Sequence, residues 1–227
     1  MNDPEGALEQ FLKSVALDPG FSVGRLNAGN QLARAGRFEE ALPHLEAARR
    51  SASVRRRETY HVDHGGVLLA LGRFGEAARI LREGLQAHPE SQAMRFNLEL
   101  ALARGADEHA RKGWALCLDG RREDGLRELD LALRAAPRHA DARHYVAVVR
   151  RQAHERFQAG AEDPQELAIL ASALALEGDW DEARAVAQVA LKVAQASGDA
   201  ARAAVLEARL KLYERSVAFE APAQGAE

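Results

Sequence analysis

The chain runs to 227 residues and 24.7 kDa, long enough to bury a sizeable core as one domain or two small ones. Its 34 acidic and 31 basic side chains leave a net charge of −3, which excludes an overall attraction to nucleic acid or to an anionic membrane. The lone Cys117 excludes an internal disulfide. The longest apolar run, "LAILASALAL" from Leu167 to Leu176, falls well short of the roughly 18 residues that cross a bilayer, which argues against direct membrane insertion.

Hydrophobic residues make up 47% of the chain but aromatics only 5%, and Ala, Leu, Glu and Arg dominate. No segment alternates like a half-buried strand, so the chain reads as all-α. The acidic start "MNDPEGALEQ" is no signal peptide, and the chain reads as cytoplasmic. A first helix is predicted over residues 4–17, with Leu8, Phe11, Leu12 and Val15 at helical spacing and Pro19 beyond it. An amphipathic helix then leads to Gly36, and a partner follows with Ala41 and Leu45. The basic stretch "SASVRRRE" (Ser51 to Glu58) reads as a flexible loop before the helix that leads to Gly72. Ala77, Leu81 and Pro89 follow. Next, "MRFNLELALARG" (Met94 to Gly105) and "HARKGWALCLDG" (His109 to Gly120) each read as a helix before Gly125, Leu129 and Pro137. One long helix is predicted from Ala140 to Gly160, and Pro164 starts another. Gly178, Ala183 and Ala187 mark the next pair, and "ARAAVLEARLKLYERS" (Ala201 to Ser216) reads as a closing helix. Residues 218–227 read as a disordered tail.

One phrase recurs along this order: Gly, then a small residue five positions later, then an apolar one four beyond. It appears as Gly36/Ala41/Leu45, Gly72/Ala77/Leu81, Gly120/Gly125/Leu129 and Gly178/Ala183/Ala187, and incompletely as Ala7/Phe11. A further small residue precedes each Gly by seven: Gly29, Gly65, Gly113 and Ala171. Gly ends a first helix in the left-handed region, the small residues let the second helix approach closely, and the apolar residue fills the groove between them. This pattern resembles the tetratricopeptide repeat, a 34-residue helix–turn–helix unit, over nearly the whole chain. The resemblance implies a right-handed superhelical solenoid of antiparallel helix pairs, about twelve helices within residues 1–217.

Successive glycines lie 36, 48 and 58 residues apart. Excesses of 14 and 24 over the 34-residue unit each fit one extra helix, the first inverting the order of inner and outer helices and the second restoring it. Residues 107–160 are therefore expected to be irregular. The first helix has no partner on its outer side, so the chain is expected to self-associate through it or to fray there, and to be the C-terminal part of a longer protein.

First helices of such arrays line a concave groove. The positions that would face it here are Asn27, Asp63 and Asn97, with Asn30, Arg34 and Phe96 on the same wall. Amide side chains both donate and accept, so a ladder of them grips an extended backbone. Chaperone-binding relatives of the family clamp a C-terminal carboxylate with basic residues, but the matching positions here are Thr59 and Asp63, which argues against that ligand. Arg49, Arg50, Arg55, Arg56 and Arg57 form a candidate docking patch for an acidic partner. No phosphate loop, nucleophile elbow or paired-Cys pattern is present, so no catalytic residue and no cofactor is assigned.

The function read here is a non-catalytic scaffold that binds a peptide or partner protein of unknown identity, with no nucleic acid involved. The alternative is a repeat appendage of a larger enzyme, because residues 167–213 look like the tails that follow membrane glycosyltransferase-like domains or sulfatases. That parentage would allow an extracytoplasmic location for the parent protein. In "YHVDH" (Tyr60 to His64), His61 and His64 share a helix face but occupy packing positions of the repeat, with no third ligand at metal-binding spacing. Purified protein is accordingly expected to hold no stoichiometric zinc by elemental analysis, and chelator should leave its melting temperature unchanged. A chelator-induced drop would point to a metal site instead.

Overall fold

A computed structural model describes residues 4–160 and 163–220. Among the described residues there are twelve α-helices and no strand. They are α1 (Pro4–Leu17), α2 (Ser22–Arg34), α3 (Phe38–Ala48), α4 (Ala52–Arg55), α5 (Glu58–Ala70), α6 (Phe74–Ala87), α7 (Gln92–Leu118), α8 (Arg122–Ala135), α9 (Ala140–Gln158), α10 (Pro164–Glu177), α11 (Trp180–Ala196) and α12 (Ala200–Glu220). Where the sequence reads as one array over residues 1–217, backbone contacts form two compact units, residues 1–105 and 106–227, whose boundary falls inside α7. Helix α12 carries the backbone to Glu220, and the rest of the tail read at 218–227 lies outside the described residues.

The turns follow from the glycines. Gly36 and Gly72 have φ of +73° and +71°, where a Cβ would strain the backbone. Each turn is closed by the next amide: Arg37 N donates to Leu32 O at 2.9 Å and Arg73 N to Leu68 O at 2.8 Å. These are Schellman closures, and they recur at Arg121, Asp179 and Asp199. The residue after each of the first three glycines also clamps the next helix. Arg37 pairs with Glu40, Arg73 with Glu76 and Arg121 with Asp124, each acid lying in a first turn that favours negative charge.

The small residues sit where two helices touch. A Cβ on Gly29 would lie 2.8 Å from Leu45 Cγ, one on Gly65 2.6 Å from Leu81 Cδ2, and one on Gly113 2.9 Å from Leu129 Cγ. In the fourth pair Ala171 replaces the glycine and Ala187 replaces the leucine, both buried. What one helix gains in bulk the facing helix has given up. These are tetratricopeptide-type helix pairs, built as the residue spacing requires.

In the first unit, α1 packs on α2, α2 on α3, α3 on α5 and α5 on α6, and the two first-type helices α2 and α5 also touch. The core includes Leu26, Leu32, Leu45, Tyr60, Leu68, Ile80, Leu81 and Met94. Helix α1 buries Leu8 in this core, with Phe11 and Leu12 packed partly against it; Val15 is also buried and Leu17 is left exposed. The stretch 51–58, expected to be a flexible loop, instead contains the short helix α4, because Val54 is fully buried and draws the chain inward.

In the second unit, α8 packs on α9, α9 on α10, α10 on α11 and α11 on α12. The two extra helices expected here need correction. The 14-residue excess adds no new helix but lengthens one, since Gly105 stays helical within α7 and no proline interrupts it. The 24-residue excess does add a helix, α9. With one insertion rather than two, the order of helix types is not restored: second-type α8 shares a row with first-type α10, which also touches first-type α12.

The complementary swap at Ala171 and Ala187 can be tested in the second pair. Gly65→Ala should destabilise the chain by about 1–3 kcal/mol through overpacking, and Leu81→Ala by about 2–5 kcal/mol through a cavity. The double variant should cost at least about 1 kcal/mol less than the sum in urea denaturation. Additive losses would mean that the two positions do not compete for one space.

Candidate functional site

The residues expected to face a groove fall on three helices of the first unit: Asn27, Asn30 and Arg34 on α2, Asp63 on α5, and Phe96 and Asn97 on the first half of α7. Asn27, Asn30, Asp63 and Asn97 are half-buried, whereas Arg34 is exposed and Phe96 is 66% exposed. Burial pushes the Asp63 carboxyl above the usual carboxylate range, and the Arg34 guanidinium partly offsets that push. Arg34 and Asp63 are thus within electrostatic reach, yet among the described residues Asp63 has no hydrogen bond or ion pair. Asn30 Oδ1 is buried and likewise lacks a partner among the described residues. Buried acceptors in folded chains are nearly always satisfied, so Asn30 Oδ1 is an exception, while the unpartnered Asp63 carboxylate is only half-buried.

Behind this face lies a buried polar cluster. The Tyr60 hydroxyl and His64 Nδ1 share a hydrogen bond of 2.9 Å. Burial, reinforced by Arg49, Arg79, His61 and Arg73, pushes the His64 imidazolium down to about 4. His61 sets Nδ1 against Ile80 O at 3.1 Å and Nε2 against Arg55 O at 2.9 Å. Both imidazoles therefore serve packing within the chain. Among the described residues no group of three or more His, Cys, Asp or Glu is placed to hold a metal ion.

The five arginines of the basic stretch do not share one role. Arg49 is bound to Glu83 at 2.8 Å. Arg55 donates to the carbonyls of Arg49 and Arg50, capping the end of α3. Arg50, Arg56 and Arg57 are exposed. An open depression of about 410 Å³ lies against Glu46, Arg49, Arg50, Arg55 and Glu83.

Sequence reasoning missed a second depression, of about 400 Å³, on the row of α8, α10 and α12 in the second unit. Leu126, Leu176, Leu212, Trp180 and Tyr213 supply its apolar wall, with Arg127 and Arg134 at its rim. Its charges are satisfied internally: Glu123 holds Arg202 at 2.6 Å and Arg209 at 3.8 Å, and Arg134 holds Asp130. Only the inserted helix α9 brings second-type α8 beside α10, and no local motif announces that.

No protein-family model and no curated protein matches this chain. Among solved structures it is similar to a double mutant of MamA RS-1, at 15% identity and a TM-score of 0.41, covering 86% of this chain and 88% of that one. It is also similar to TTC0263, a thermophilic TPR protein of Thermus thermophilus, at 16% identity and a TM-score of 0.37, over 94% and 90% of the two chains. A third is YrrB, described as a TPR protein with an unusual peptide-binding site, at 16% identity and a TM-score of 0.37, over 88% and 98%. Likeness of this degree says nothing of function. Among the described residues no helix is long and apolar enough to cross a membrane.

The His64 environment sets a pH dependence. Above pH 6.5 the imidazole is neutral whether the chain is folded or not. Between 6.5 and about 4 the unfolded chain takes up a proton that the folded one resists, so stability falls as pH falls, by roughly 3 kcal/mol across the window. Urea denaturation between pH 7 and 4 should show this loss, and His64→Gln, which keeps an acceptor for Tyr60 but takes no proton, should flatten it. An unchanged slope in the variant would remove His64 as its source.

Proposed function

We propose that the chain is a non-catalytic protein-interaction module whose first unit takes an extended peptide segment along Asn27, Asn30, Arg34, Asp63, Phe96 and Asn97. The observation that supports this reading is the pair of unpartnered acceptors, Asn30 Oδ1 and the Asp63 carboxylate. An extended backbone presents N–H groups to such acceptors without demanding a particular side chain. Arg34 supplies a donor for the peptide carbonyls between them, and exposed Phe96 offers an apolar surface for one peptide side chain. Half-burial strengthens these bonds, since water competes less well there than at a flat surface.

The reading is tested by selecting binders from a displayed library of random peptides. The selected peptides should bind the intact chain, and Asn27→Ala combined with Asn97→Ala should weaken them by about tenfold or more, the loss of two hydrogen bonds near 1 kcal/mol each. Helicity should stay unchanged. Peptides that bind the double variant as well as the parent would place binding elsewhere, and a library that yields none would refute the proposal.

A further inference from the structure

We propose that Arg50, Arg56 and Arg57 form a second, separate docking surface, an ordered arginine ridge that receives an acidic segment of a partner protein. The stretch is held from beneath at several points. Val54 is buried in the core, His61 Nε2 meets Arg55 O at 2.9 Å, and His88 Nε2 meets Arg56 O at 2.9 Å. Arg55 spends its guanidinium on the carbonyls of Arg49 and Arg50, just past the end of α3. Three of the five arginines therefore project from a fixed backbone, and none of the three has a carboxylate partner among the described residues. The nearby acids are committed: Glu83 to Arg49, and Glu46 to Arg73 at 3.8 Å. Glu58, which follows Arg57, stands in the first turn of α5, where the helix end favours it.

Unneutralised guanidinium groups on a pre-ordered backbone recognise carboxylates at little entropic cost. The ridge suits an acidic protein segment better than a nucleic acid. It is short, the chain as a whole carries −3, and Tyr60, which lies near Arg49 and Arg55, is fully buried and offers no face for stacking bases.

The test uses the full chain and a fluorescein-labelled oligo-glutamate peptide, followed by fluorescence anisotropy at low salt, with oligo-lysine and oligothymidylate as comparison probes. Oligo-glutamate should bind, and more tightly than oligothymidylate. The triple substitution Arg50→Ser, Arg56→Ser and Arg57→Ser should weaken it about tenfold or more, as expected for three exposed charge contacts, without moving the melting temperature. His88→Leu leaves the arginines in place but frees the Arg56 carbonyl, and should weaken binding several-fold in a chain that still melts cooperatively. Equal binding by the triple variant, or tighter binding of oligothymidylate, would overturn the proposal. Undiminished binding by His88→Leu would overturn its ordered-backbone component. The peptide-library selection on the α2 and α5 face is independent of all these outcomes.

Discussion

Three helix pairs among the described residues, α2/α3, α5/α6 and α7/α8, depend on close approach at one crossing. Gly29 against Leu45, Gly65 against Leu81 and Gly113 against Leu129 bring backbones together at distances where one added carbon would collide with the facing leucine. At the equivalent positions of α10 and α11, Ala171 and Ala187 are both buried in one core, with the small side chains divided between the two helices. Interiors packed to crystal-like density allow few other solutions. The left-handed glycines that turn each pair, and the arginines that clamp the following helix, hold the two helices in the register that this crossing needs.

A face follows from that crossing. When the second helix covers one side of the first, the first helix's other side is free to carry polar residues, and α2 and α5 use it for Asn27, Asn30, Arg34 and Asp63. Asn30 Oδ1 and Asp63 remain without partners although water is partly excluded from them. The more deeply buried polar groups of α5 are paired within the chain: His64 bonds the Tyr60 hydroxyl, and His61 meets two backbone carbonyls.

Much of this was legible in the residues. The Gly–small–apolar phrase located the turns and the crossings because each position answers to one steric requirement, and φ near +73° at Gly36 is the direct consequence. Less legible was anything decided by burial at a distance. Val54 gave no periodic signal, yet its burial turns the basic stretch from a loop into α4. Gly105 resembled a helix end, but the residues around it continue the helical pattern, and α7 runs through it. The depression on α8, α10 and α12 depends on counting inserted helices correctly, and spacing alone pointed to two where the chain has one.

Hydrogen–deuterium exchange of the intact chain, with and without its best selected peptide, tests the central claim most directly. Exchange in α2 and α5 around residues 27–34 and 60–66, and in the first half of α7, should slow on binding, while α3 and α6 stay unchanged. Protection confined to α3 and α6, or absent from α2 and α5, would contradict the assignment of this face to peptide binding.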